Sequence, residues 1–187
     1  LLADDAPGLL VTGPINKAAM QKAGFTWPGH TEYLAARGGA EKVHMLMANP
    51  KLRVLLTTVH EPLAKVPGLI TFDRVVDAVL AAARSCYLDF GIARPSIAVA
   101  GLNPHAGEGG MFGMEEIEII IPACKNAEER LGEEGINCTI TAAVPPDTIF
   151  FEAMGGKYDM VVAMYHDQGL VPFKMQARGR GVNVTSG

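Results

Sequence analysis

The chain is poor in what several function classes require. Its net charge is −4, from 16 Lys and Arg against 20 Asp and Glu in 187 residues. No basic stripe is present to neutralise a run of phosphates, which excludes a general nucleic-acid binder. Its three cysteines, Cys86, Cys124 and Cys138, stand far apart with no CxxC pair. That excludes a thiolate zinc site and makes a reduced, cytoplasmic setting the expectation. No apolar run approaches the about 18 residues of a membrane span. The opening stretch LLADDAPG lacks the basic region and apolar core of a signal peptide. Neither GxxxxGK(S/T) nor a GxGxxG follows a strand, so no phosphate loop of those kinds is expected.

The composition describes a soluble globular protein, 49% hydrophobic and 19% charged, long enough for one good core. GLLVTG reads as a buried strand and NKAAMQKAG as a helix ended by Gly24. TEYLAARGG suits a short helix with Thr31 as its cap. KVHMLMANP and LRVLLTTVH read as neighbouring strands divided by an Asn-Pro turn. In FDRVVDAVLAAARSCYLDFG, the residues Val75, Val76, Val79, Leu80 and Ala83 recur at helical spacing. SIAVAGLN, CTITAAV, DMVVAMY and GVNVTS are strand patterns. Between them lie a helix from EEIEIIIPACKNAEERLGEEG, kinked or started late by Pro122, and a short one from DTIFFEAMGG. Strands alternating with helices give an α/β fold with a largely parallel sheet. The chain opens just before a strand and stops as another enters its loop, so a piece of a longer protein is expected.

Ligands of such sheets bind beyond the carboxyl ends of the strands. His105, Asp147 and His166 each follow a strand by a few residues, which puts them on one rim. His30 (PGHTEY), His105 (GLNPHAGEGG) and His166 (YHDQG) each sit beside glycine or a turn signal, where backbone approaches a ligand closely. Three neutral imidazoles with an open position are what metal catalysis uses. Equally, each reads as a capping or loop residue, and the pattern leaves both readings open. Glu108 and Asp167 are placed to orient the imidazoles of His105 and His166. His44 reads as a core residue and His60 is ambiguous. Asp147 in VPPDTIF is either a helix cap or a general base or metal-side carboxylate. Lys174, Arg178, Arg180 and Asn183 flank a glycine-rich stretch suited to a phosphate or carboxylate, or else to a solvated loop. Thr12 and Lys17 offer a weaker version of the same setting.

In this order and spacing GHTEY, GLNPHAGEGG, PPDT and AMYHDQG…K…GRGVN resemble the 4-hydroxythreonine-4-phosphate dehydrogenase family of pyridoxal 5'-phosphate biosynthesis. The resemblance spans almost the whole chain. It implies an αβα sandwich like that of isocitrate and isopropylmalate dehydrogenases, in a two-domain homodimer with its active site between subunits. By this resemblance His30, His105 and His166 are the metal ligands, Lys174 and Asn183 contact substrate, and Asp147 is the active-site aspartate. Residues 1–168 correspond to the central metal-binding domain, and 169–187 to the start of the segment returning to the other. The implied cofactors are NAD and a divalent metal (Zn, Mg or Co). NAD contacts are expected beyond Gly187, because family chains continue to a substrate-binding arginine and a glycine-rich region.

The implied reaction is oxidation with decarboxylation of 4-phosphohydroxy-L-threonine to 3-amino-2-oxopropyl phosphate. One rival is a paralogous dehydrogenase of D-threonate or D-erythronate 4-phosphate. Others are a metal-dependent lyase or hydrolase that uses no nicotinamide, and a non-catalytic metal-binding module.

Overall fold

The computed structural model describes residues 12–27, 29–40 and 42–186, so the strand expected in GLLVTG falls largely outside the described residues. The polypeptide divides into two compact units at Val43/His44, the second being His44–Ser186.

In the first unit, α1 (Lys17–Lys22) is capped by the Asn16 side chain, which accepts from the Ala19 amide at 3.0 Å. Gly24 at φ +85° releases the chain from the helix, as its sequence position predicts. The second helix, α2 (His30–Gly38), starts earlier than the sequence suggests. Its cap position is Gly29, with no side-chain cap, so Thr31 lies inside the first turn. Phe25, Trp27 and Tyr33 pack as a ring cluster, with centroids 5.2–5.4 Å apart.

The second unit is a six-stranded sheet of order β4-β3-β5-β2-β1-β6. Its strands are β1 (His44–Ala48), β2 (Arg53–Leu56), β3 (Ser96–Ala100), β4 (Thr139–Val144), β5 (Met160–Ala163) and β6 (Val182–Ser186). The pairings β2/β5, β3/β5 and β3/β4 are parallel, and β1 runs against both of its neighbours. β1 is therefore the one reversed strand, joined to β2 by the turn read at Asn49-Pro50.

Residues alternate between two cores, one on each face. Leu55, Ile97, Val99, Met160 and Val162 turn to one side. There they meet α4 (Phe72–Leu88) and α5 (Ile121–Glu133). Val54, Leu56, Ala98, Val161 and Ala163 turn to the other. That face is covered by α6 (Pro146–Met154) and α7 (His166–Ala177). The result is an αβα sandwich, and the helical stripe Val75, Val76, Val79, Leu80 and Ala83 is buried as its spacing requires.

Two helices differ from their sequence pattern. Pro122 stands in the first turn of α5, the later start read at that proline; a wide π turn, Glu116–Ile120, runs directly into it. α7 was not legible, because Gly169 and Pro172 read as breakers. A Cβ at Gly169 would lie 2.7 Å from Val54 Cγ1 and 2.9 Å from Leu56 Cδ2, so this glycine is what lets α7 sit down on the sheet. A 3-10 turn (Leu63–Lys65) and the short α3 (Val66–Leu69) complete the β2–α4 connection. Cys86 and Cys124 are free and buried, and burial pushes both thiols up to about 12. Among the described residues no helix is long and apolar enough to cross a membrane.

Candidate active site

Four parallel strands deliver their exits to one rim. Hydrogen bonds lace these exits together. Thr57 N–H donates to Ala163 O at 2.8 Å, Thr58 Oγ1 donates to Met164 O at 2.7 Å, and Gly101 N–H donates to Val144 O at 2.9 Å. Buried Gln168 ties β5 to β3. Its Oε1 accepts from Met164 N–H at 2.6 Å and its Nε2 donates to Gly101 O at 2.7 Å. The loops carrying His105 and His166 are thereby fixed to each other through one amide side chain.

On this rim, His105 Nδ1 lies 2.9 Å from Glu108 Oε2 and His166 Nδ1 lies 2.7 Å from Asp167 Oδ1. A carboxylate only accepts, so in each pair Nδ1 is the donor, and in the neutral imidazole that leaves Nε2 with its lone pair. Both acidic neighbours thus do what their sequence positions suggest. A proton fixed on Nδ1 and a free Nε2 is the arrangement that suits a metal ligand.

The His105 loop is strained. Five successive residues, His105, Ala106, Gly107, Glu108 and Gly109, have φ between +44° and +79°. Only two are glycine, and each of the others costs about 1–2 kcal/mol in this region. Such a run persists only where its surroundings hold it.

A cleft of about 320 Å³ is lined by Leu102, Asn103, Pro104, His105, Pro146, Asp147 and Tyr165. Asp147 reaches it because β4 carries one extra residue against β3 near its end, with Ala143 at φ +53°, a bulge that turns the chain. The cap position of α6 is Pro145, and no side chain caps the helix. Asp147 is therefore an exposed first-turn carboxylate in the cleft wall, and the capping reading does not hold.

His30 opens α2 in the first unit, half-buried behind Gly29. The stem of Lys17 lies beside that glycine, its Cε 3.7 Å from where a Cβ would stand. Among the described residues no three His, Cys, Asp or Glu side chains gather as a ligand set.

Lys174 is exposed on α7 rather than in a loop. Asn183 pairs with Met47 across β1/β6, and Met47 packs into the α7-side core, so Asn183 is on the sheet face that α7 covers. Arg178 and Arg180 join Lys51 around a separate cleft of about 440 Å³. It lies by the β1–β2 turn, at the end of the sheet opposite His105 and His166. His44 is half-buried on β1.

Sequence reasoning left His60 undecided and overlooked Glu116 and Gln168. The ring of His60 lies 5.5 Å from that of His166, tilted by 41°. The signal available was position, since His60 follows β2 as His166 follows β5. Glu116 is 1% exposed. It stands four residues before Ile120 and seven before Ala123 on the stripe that α5 buries, a carboxylate where an apolar residue is expected.

Comparison with known proteins gives the family. A 4-hydroxythreonine-4-phosphate dehydrogenase of Desulfosudis oleivorans is 48% identical over 178 residues, covering 95% of this chain and 51% of that protein. The crystal structure of a 4-hydroxythreonine-4-phosphate dehydrogenase from Klebsiella pneumoniae superposes with a TM-score of 0.83 at 41% identity, covering 94% of this chain and 51% of the other. A terephthalate 1,2-cis-dihydrodiol dehydrogenase from Burkholderia xenovorans superposes at 0.71 with 32% identity, over 85% of this chain and 49% of that one. The chain spans about half the length of the curated relatives it matches. Its residues 2–187 match the family model described as pyridoxal phosphate biosynthetic protein PdxA. With four motifs in register on the matching fold, the chain belongs to the PdxA family.

Proposed function

We propose that the full-length protein is a cytoplasmic, homodimeric, NAD- and divalent-metal-dependent dehydrogenase. It oxidises and decarboxylates 4-phosphohydroxy-L-threonine to 3-amino-2-oxopropyl phosphate, in the biosynthesis of pyridoxal phosphate. The observation that carries this reading is the paired His105–Glu108 and His166–Asp167 geometry on one rim, beside a cleft that contains Asp147. As neutral imidazoles with Nδ1 on a carboxylate, both leave Nε2 free for a divalent ion. His105, His166 and His30 would hold it, with one histidine supplied by the partner subunit. Residues 169–187 begin the segment that returns to a second domain.

When bound, a zinc, magnesium or cobalt ion supplies Lewis acidity, easing loss of the hydroxyl proton and stabilising the charge left by decarboxylation. The remaining work is assigned to side chains. Asp147 takes the hydroxyl proton on a carboxylate oxygen. NAD, when bound, would accept the hydride from the carbinol carbon, which leaves a β-keto acid. Its carboxylate departs as carbon dioxide, the bonding pair moves into the enolate, and protonation at carbon completes the amino ketone. Lys174 and Asn183 hold the substrate phosphate from α7 and β6.

The alternative is a paralogous dehydrogenase of D-threonate or D-erythronate 4-phosphate. A 32%-identical structure is named as a dihydrodiol dehydrogenase, so the substrate has to be tested directly. The test is a panel of 4-phosphohydroxy-L-threonine, D-threonate 4-phosphate, D-erythronate 4-phosphate and a cis-dihydrodiol, reading NADH and carbon dioxide. The proposal expects turnover with the first, abolished by chelation. Preference for another member of the panel overturns the substrate, and turnover without NAD overturns the class.

A further inference from the structure

The buried Glu116 carboxylate faces the backbone from which His105 hangs. Its Oε1 accepts from the amides of Leu102 and Asn103, both at 2.8 Å, and its Oε2 accepts from Asn103 Nδ2 at 3.0 Å. The same Asn103 Nδ2 donates to Glu115 Oε2 at 2.7 Å. The loop also wraps directly over the carboxylate. A Cβ on Gly101 would lie 3.1 Å from Glu116 Oε1, and one on Gly107 would lie 2.7 Å from Oε2. Gly107 therefore leaves room for this side chain, while at Gly101 a Cβ would meet Ala106, at 2.9 Å from its Cα, as well as the carboxylate. Glu116 opens the π turn that precedes α5, a feature frequent at functional sites, and the wide turn delivers the carboxylate to the loop.

We propose that Glu116 is a positioning residue. It clamps Leu102 and Asn103 at the exit of β3 and so holds the left-handed His105–Gly109 run in which His105 meets Glu108. Gln168 ties the same loop one residue earlier, at Gly101 O; Glu116 is the buried side chain that reaches Leu102 and Asn103. The metal half of the inference rests on the reading of His105 as a ligand, and the loop half does not.

The experiment uses the full-length protein, wild type and with Glu116→Ala, Glu116→Asp and Ile120→Val. Asp keeps the charge but falls one methylene short of the amides. Ile120, fully buried in the same turn, reports packing loss that leaves the clamp intact. Imidazole nitrogen shifts of the metal-free proteins give the His105 tautomer, and chelator competition gives the Co(II) affinity. Wild type and Ile120→Val are expected to show the Nδ1-protonated form. Glu116→Asp and Glu116→Ala are expected to mix in the other tautomer and to bind Co(II) about 10–100-fold more weakly, the range seen when such outer partners are lost. If both Glu116 variants keep the tautomer and the affinity within twofold of Ile120→Val, Glu116 is merely a core residue and the inference is wrong. Wild type without Co(II) affinity would instead refute the metal reading, while the tautomer comparison would still decide the role of Glu116.

Discussion

Replacing Gly169 by alanine is a sharp test of how α7 presents His166, because the usual rule gives the wrong sign. In a helix interior, Gly→Ala ordinarily stabilises by about 0.8–1.0 kcal/mol. Here the new methyl would lie 2.7 Å from Val54 Cγ1, 2.9 Å from Leu56 Cδ2 and 3.1 Å from Ala163 Cβ. Ordinary contact is near 3.5–4.0 Å, so the shortfall approaches about 1 Å against two strands at once. Val54 and Leu56 are 0% and 1% exposed, which leaves them little room to yield. Overpacking of this kind costs about 1–3 kcal/mol, so the net effect is a loss of up to about 2 kcal/mol. At about 2–4 °C per kcal/mol for a chain of this size, the melting temperature should fall by several degrees. The methyl also lifts the helix from the sheet one turn after His166, so metal affinity should fall with it. Thermal unfolding and chelator competition measure the two effects. A rise in melting temperature, as the propensity rule alone gives, would refute the packing argument.

Three further outcomes follow. Asp147→Asn should cost at most about 1 kcal/mol, the value of a first-turn carboxylate on the helix dipole, since no cap is lost. It should still reduce turnover by about 10²–10⁴-fold, measured as NADH formation at saturating metal; wild-type turnover would remove Asp147 from proton transfer. Lys174→Ala should raise KM strongly with metal content unchanged, and an unchanged KM would return Lys174 to the solvated face of α7. His60→Ala removes a ring packed against His166 and should weaken Co(II) binding with little change in melting temperature, because His60 is exposed; unaltered affinity would make that contact incidental.

The sheet was readable because hydrophobic period and turn chemistry agree in β1 to β6, and α4 because its stripe is uninterrupted. The rim followed from one topological rule, since a parallel sheet puts His105, Asp147 and His166 at strand exits whatever their side chains do. The orienting roles of Glu108 and Asp167 were also legible, being local in sequence. What escaped depends on contacts distant in the chain. α7 was hidden because Gly169 looks like a breaker until the sheet beneath it is known. Gln168 bridges to Gly101, 67 residues away, with no local trace. Asp147 looked like a cap because Pro-Pro-Asp commonly opens a helix, whereas Pro145 takes the cap position here. Glu116 left a trace that a stricter reading of the apolar stripe would have caught.

The most direct test of the central claim is a crystal structure of the full-length protein with zinc and the phosphorylated substrate. One ion is expected, bound through Nε2 of His30, His105 and His166, each nitrogen about 2.0–2.1 Å away. Nδ1 of His105 and His166 should stay on Glu108 and Asp167, and the substrate hydroxyl should lie within reach of Asp147. An ion bound elsewhere, or ligation through Nδ1 with those two carboxylates displaced, would contradict that claim.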